Sequence, residues 1–223
     1  MKIAILLYDE MTALDAIGPY EVLAQAPGNE AVFVGEHRGI VRTDTGALGL
    51  SADRSIDDVS AADVLVVPGG PGDRRVRETA RLLEWVRAID ATTTWTTSVC
   101  TGSLILGAAG LLRGKRATTH WCFHDELATY GATPTLERVV SDGKIVTAAG
   151  VSSGIDMGLR LLQRTGGDAL AQALQLAIEY DPMPPFDAGS PAKAPAEVVA
   201  LVRSVFADAL ARGPGGAART AAR

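Results

Sequence analysis

The chain has 223 residues, 47% hydrophobic and 21% charged, as expected of a globular protein with one domain and a core that needs neither disulfides nor metals. Its formal net charge of −5 argues against nucleic acid or an anionic membrane as the main partner. The apolar start breaks at Tyr8-Asp9-Glu10, too soon for a signal peptide, and no stretch is long enough for a membrane span.

Residues 2–7 are a continuous apolar run, the pattern of a central parallel strand buried on both faces. Residues 12–26 read as a helix with Pro19 close to its start, and residues 31–34 as a second strand. Residues 40–50, with Gly46 and Gly49 between short apolar pieces, predict a hairpin. Residues 64–67 form a strand that runs into Pro68-Gly69-Gly70-Pro71-Gly72, and a helix follows over about 75–90. The β-branched run 92–99 predicts a strand, and 101–112, rich in Ala, Leu and Gly, a buried helix. A short strand at 116–119 leads to His120-Trp121, followed by a helix over 123–130 that closes on Gly131. Asp142-Gly143 lies between apolar pieces at 139–140 and 144–148, a hairpin signal. After a loop at 150–154 come helices at 155–165 and 168–180. Five prolines make 181–195 an extended arm.

Alternating strands and helices predict an α/β fold, a doubly wound, mostly parallel sheet flanked by helices. The expected organisation is a single catalytic domain over 1–195, a helix over 196–212 packed on it, and a flexible tail over 213–223. In such sheets sites form beyond the carboxyl ends of the strands. Asp15, Gly69-Gly70, Cys100 and Gly150 each follow a strand, so they share one rim.

Cys100 sits where a strand turns into a helix, with Ser98 and Gly102 two residues either side. This S-x-C-x-G pattern has the logic of a nucleophile elbow. The positive end of the following helix is expected to lower the thiol pKa and its free N–H groups to hold a substrate anion. With Cys122, read as core, it predicts reduced thiols and a cytoplasmic protein. Asp15 is either a helix-capping acid or an acid–base group with raised pKa. Gly69 and Gly70 are a turn or an oxyanion hole. Thr101 starts a helix or bonds substrate or water. His120 is a base for the thiol or a structural histidine. With His124 it has i, i+4 spacing, but no third ligand supports a metal, and His37 reads as surface.

Leu14-Asp15-x-x-Gly18-Pro19, Val67-Pro68-Gly69-Gly70, Ser98-Val99-Cys100-Thr101-Gly102-Ser103 and Gly114-Lys115-Arg116-Ala117-Thr118-Thr119-His120-Trp121 together resemble the ThiJ/PfpI superfamily, over residues 1 to about 196. Its fold is class I glutamine amidotransferase-like, a flavodoxin-like sandwich. Residues 98–121, with Leu176-x-x-Glu179-Tyr180-x-Pro182-x-Pro184-Pro185-Phe186-x-Ala188-Gly189-Ser190-Pro191, resemble the isocyanide hydratases within it. The resemblance implies a homodimer that takes an isocyanide and water to an N-substituted formamide without cofactor or metal. It implies Cys100 as nucleophile forming a thioimidate, Asp15 as general acid/base where many members carry Glu, and Thr101 positioning water. Gly69, Gly70, Gly150, Val151 and His120 are expected to line the substrate or oxyanion site, His120 without acting as base. The alternatives are a glyoxalase-like or hydrolytic cysteine enzyme of the same superfamily, or a non-enzymatic ligand or redox sensor.

Overall fold

The structure is a computed structural model that describes residues 1–212, with side chains through 207. The tail expected over 213–223 lies outside the described residues. In chain order the elements are β1 (Lys2–Leu7), α1 (Ala13–Leu23), β2 (Glu30–Gly35), β3 (Gly39–Arg42), β4 (Gly49–Ala52), β5 (Arg54–Ser55) and β6 (Val64–Val67). Then follow α2 (Asp73–Glu78), α3 (Ala80–Asp90), β7 (Trp95–Val99), α4 (Gly102–Ala108), β8 (Arg116–Ala117), α5 (His124–Thr129) and β9 (Thr133–Pro134). The chain finishes with β10 (Val139–Asp142), β11 (Ile145–Ala148), α6 (Ser153–Gly166), α7 (Asp168–Ala177) and α8 (Ala196–Arg212).

Seven strands form one sheet in the order β10-β11-β7-β6-β1-β2-β5. All neighbours are parallel except the β10–β11 hairpin at one edge. Ile3 to Leu7 and Val64 to Val67 are wholly buried, because apolar side chains on both faces of the central strands meet flanking helices. One helix group contains α1, α6 and α7, the other α2, α3, α4 and α5. The close approach of α1 and α6 depends on glycine: a Cβ on Gly158 would lie 2.9 Å from Val22 Cβ, and one on Gly154 would lie 3.0 Å from Pro19 Cδ.

Some boundaries differ from expectation. Pro19 lies inside α1, not near its start. The single helix expected after the glycine-rich loop is two, because Thr79 is extended (φ −94°, ψ 98°) between α2 and α3. The strand ending at Val99 begins at Trp95, its predecessors forming turns, and α4 is only seven residues long. Residues 178–195, which include the proline-rich arm, form no helix or strand.

Candidate active site

β1, β6, β7 and β11 lie side by side and end at Leu7, Val67, Val99 and Ala148. Immediately past Val99, Cys100 takes a left-handed backbone conformation, φ 56°. For a residue with a Cβ this costs roughly 1–3 kcal/mol and persists only where neighbours over-determine it. Here the Cys100 N–H donates to Ala148 O at 3.0 Å. Its carbonyl accepts from Ser103 Oγ at 3.2 Å and Thr119 Oγ1 at 3.1 Å. The small residue two positions on is obligatory, since a Cβ on Gly102 would lie 2.1 Å from Val67 O.

Asp15, in the first turn of α1, is fully buried. Its Oδ2 accepts the Gly69 N–H at 2.9 Å, while Oδ1 receives no N–H or O–H among the described residues. Burial pushes this carboxyl up to about 8, although the Gly69 N–H and the Cys100 thiol, a donor toward it, favour its charged form. The thiol responds in the opposite sense to the sequence expectation. Burial, and then the neighbouring Asp15, raise its pKa well above the ordinary value and outweigh the Thr101 N–H. A helix of seven residues does not reverse this, because both groups lie away from water, where each ionised form is costly. Thiol and carboxyl therefore rest side by side with their protons on at neutral pH.

The two glycines meet the site through backbone, but their N–H groups are engaged. Gly69 N–H holds Asp15, and Gly70 N–H donates to Thr101 Oγ1 at 3.0 Å. Gly69 has no room for a side chain: a Cβ would lie 2.4 Å from Thr101 N. Gly70 has φ 129°, and a Cβ there would meet Thr12 N at 2.4 Å. These glycines build the site's frame, and the Thr101 N–H is the donor that faces sulfur.

His120 stands apart in character. Its ring lies 4.7 Å from Phe206 of α8, 5.7 Å from Trp121 and 5.9 Å from Phe123. Its Nδ1 accepts the Cys122 N–H at 3.4 Å. Burial, with His124 nearby, pushes its pKa down to about 4, so the ring is neutral and packed among aromatics. Gly150 adjoins it, a Cβ there lying 3.5 Å from His120 Cδ2. Val151 is half-buried against the core.

Sequence reading does not single out Tyr8 or Asp73. Both are buried, and both carry charge or a hydroxyl close enough to Cys100 to oppose its ionisation or be opposed by it. Asp73 pairs with Arg77 at 2.8 Å, which also reaches Glu126 at 2.6 Å and Tyr130 Oη at 2.9 Å. The i, i+4 spacing of Asp73 and Arg77 was the one available signal. A cavity of about 280 Å³ beside the ends of β1 and β2 is lined by Tyr8, Asp9, His37, Ile40 and Arg75 among others, and Cys100 is not part of its lining. Among the described residues no group of three or more His, Cys, Asp or Glu is arranged to hold a metal, and no helix is long and apolar enough to cross a membrane.

Comparison with known proteins agrees with this geometry. Isonitrile hydratase of Pseudomonas putida is 45% identical over 210 residues, covering 94% of this chain and 92% of that protein. Deglycase PfpI of Pyrococcus furiosus is 30% identical over 152 residues, 66% of this chain and 89% of that one. A ThiJ/PfpI family protein of Pseudomonas syringae superposes with a TM-score of 0.90 at 39% identity, covering 93% of this chain and 86% of that chain. The DJ-1/PfpI family model matches residues 1–164. With an elbow cysteine at the carboxyl rim of a mostly parallel sheet, the chain belongs to the DJ-1/PfpI family.

Proposed function

We propose that this protein hydrates isocyanides, R–NC, to N-substituted formamides, with Cys100 as nucleophile and Asp15 as proton carrier. The observation that carries the reading is the fully buried Asp15 carboxyl beside the elbow thiol, one oxygen held by the Gly69 N–H and the other left for proton transfer. The extensive identity to an isonitrile hydratase supports it.

Sulfur bonds to the isocyanide carbon while Asp15 gives that carbon its proton, and the thiol's own proton passes to the carboxylate. The product is a thioimidate, R–N=CH–S–Cys100. Water then adds to the same carbon. Asp15 passes a proton to the imine nitrogen and takes one from the water, which Thr101 positions. The adduct breaks its C–S bond, its hydroxyl proton returns to sulfur by way of Asp15, and R–NH–CHO leaves. An acid with pKa about 8 suits this work at neutral pH, because it is protonated yet readily gives its proton up. His120, neutral and held among aromatic rings, is a wall of the pocket with Gly150 and Val151, not a base.

The proposal extends to a cytoplasmic homodimer, each subunit one catalytic domain over 1–195 with α8 packed on it. Formamide release from a small aliphatic or aromatic isocyanide tests the chemistry. Wild type is expected to turn over, Cys100→Ala to be inactive but folded, and Asp15→Asn to lose about 10²–10⁴ in rate. Absence of turnover by wild type across several isocyanides would overturn the reading, and would turn attention to methylglyoxal and to reversible oxidation of Cys100.

A further inference from the structure

Tyr8 directly follows β1 and is 5% exposed. Its hydroxyl donates to Pro68 O at 2.8 Å. The other end of that same peptide group is the Gly69 N–H, which donates to Asp15 Oδ2 at 2.9 Å. Both bonds are buried. The next peptide is pinned too, with Gly69 O accepting the Thr12 N–H at 2.9 Å.

A peptide group is planar and conjugated, so its carbonyl and N–H are mechanically and electronically one unit. A donor on the carbonyl fixes the plane and draws electron density from nitrogen, which makes the N–H a stronger donor. Glycine at 69 leaves that plane without side-chain support. The tyrosine hydroxyl supplies it.

We propose that Tyr8 is a positioning residue for Asp15. Acting through the Pro68–Gly69 peptide, it holds Oδ2 in place and leaves Oδ1 as the oxygen that gives and takes the proton. This rests on Asp15 being the proton carrier proposed above. Other titratable groups facing Asp15 are Cys100 after β7 and Asp44 of the β3–β4 turn, whose Oδ2 accepts from Thr12 Oγ1 at 2.8 Å. Asp73 of α2 faces Tyr8 and Cys100, with Arg77 beside it. Where α6 packs on α1, Gly154 and Gly158 meet Pro19 and Val22.

Full-length wild type, Tyr8→Phe and a protein carrying 3-fluorotyrosine at position 8 test this. The Asp15 carboxyl is titrated by ¹³C NMR, assigned with Asp15→Asn, and kcat and KM are measured against pH. Loss of the hydroxyl weakens the Gly69 donor, so the carboxylate is less stabilised. The midpoint in Tyr8→Phe is expected to rise by a few tenths of a pH unit, about 0.2–0.6. The alkaline limb of kcat should move with it, and kcat should fall while KM stays close to wild type. The more acidic fluorotyrosine hydroxyl is a stronger donor and should move the midpoint the other way. A midpoint that stays put in both variants, or falls in kcat with an unmoved alkaline limb, makes Tyr8 a packing residue and overturns the proposal. Should wild type turn over no isocyanide, the functional reading fails, while the NMR midpoints still decide the role of Tyr8.

Discussion

Asp15 illustrates how much a single buried carboxyl can shape a site. Its pKa moves from an ordinary 3.8 to about 8, mainly through burial. Between those values the folded protein holds a proton that the unfolded chain has released, so this group's contribution to stability is full below about pH 4 and drains away as pH rises to 8. Asp15→Asn has no such penalty. Urea unfolding at pH 4, 6 and 8 should show the variant gaining on wild type as pH rises, by an amount on the order of a few kcal/mol. Equal slopes for the two proteins would show that Asp15 is ionised in the fold. The cysteine and its small flanking residues are legible in sequence because the elbow is local. The ionisation of the thiol is not, since it is decided first by the thiol's own burial and then by a residue 85 positions away, and no local pattern reveals either. Tyr8 is hidden for the same reason. In the sequence it reads as the first residue of the break that ends the apolar run, and its hydroxyl finds its acceptor sixty residues on.

At the scale of elements, β7 and α4 are joined by a turn with no spare volume. A methyl on Gly102 would lie 2.1 Å from Val67 O and 2.8 Å from Pro68 O. Both are backbone atoms of the neighbouring strand and its loop, which cannot swing aside as a side chain does. Gly102→Ala is expected to cost about 3 kcal/mol or more. Gly189→Ala, where nothing lies within 4 Å, should stay within about 0.5 kcal/mol of wild type. Thermal or urea unfolding of the pair decides, and a mild Gly102→Ala would show that β6 and α4 can slide apart. The long apolar strands and the β10–β11 hairpin are legible because their period and turn chemistry agree. The two-residue strands β5 and β9 leave no periodic signal, and β8 is legible but shorter than the expected 116–119. The break at Thr79 follows no glycine or proline, so the two helices around it read as one.

Across the whole molecule, the last helix folds back onto the loop after β8. Phe206 lies against His120 and Phe123, and the Arg203 guanidinium sits 4.9 Å over the Trp121 ring. The C-terminal segment thereby helps keep His120 dry and its pKa near 4. A neutral buried histidine loses stability as pH falls, from about 6.5, where the unfolded chain takes the proton, to about 4. Phe206→Ala should admit water and raise the His120 pKa toward 6.5, read from the ring Hε1 shift in proton NMR. An unmoved pKa would mean that Phe123 and Trp121 suffice. The helix is legible in sequence; its contact with His120 is not, because the intervening proline-rich arm fixes no direction.

The strand order has a further consequence, for synthesis on the ribosome. β1 is made first, yet one of its two neighbours, β6, begins with Val64 opposite Ile3. At roughly 5–20 residues per second, that partner arrives about 3–12 s later. β2 covers the other side sooner. In the interval, a strand apolar from Ile3 to Leu7 has one unpaired margin exposed to solvent or to a chaperone. A strand wholly buried from Ile3 to Leu7 in the finished protein is thus left half-covered during its birth.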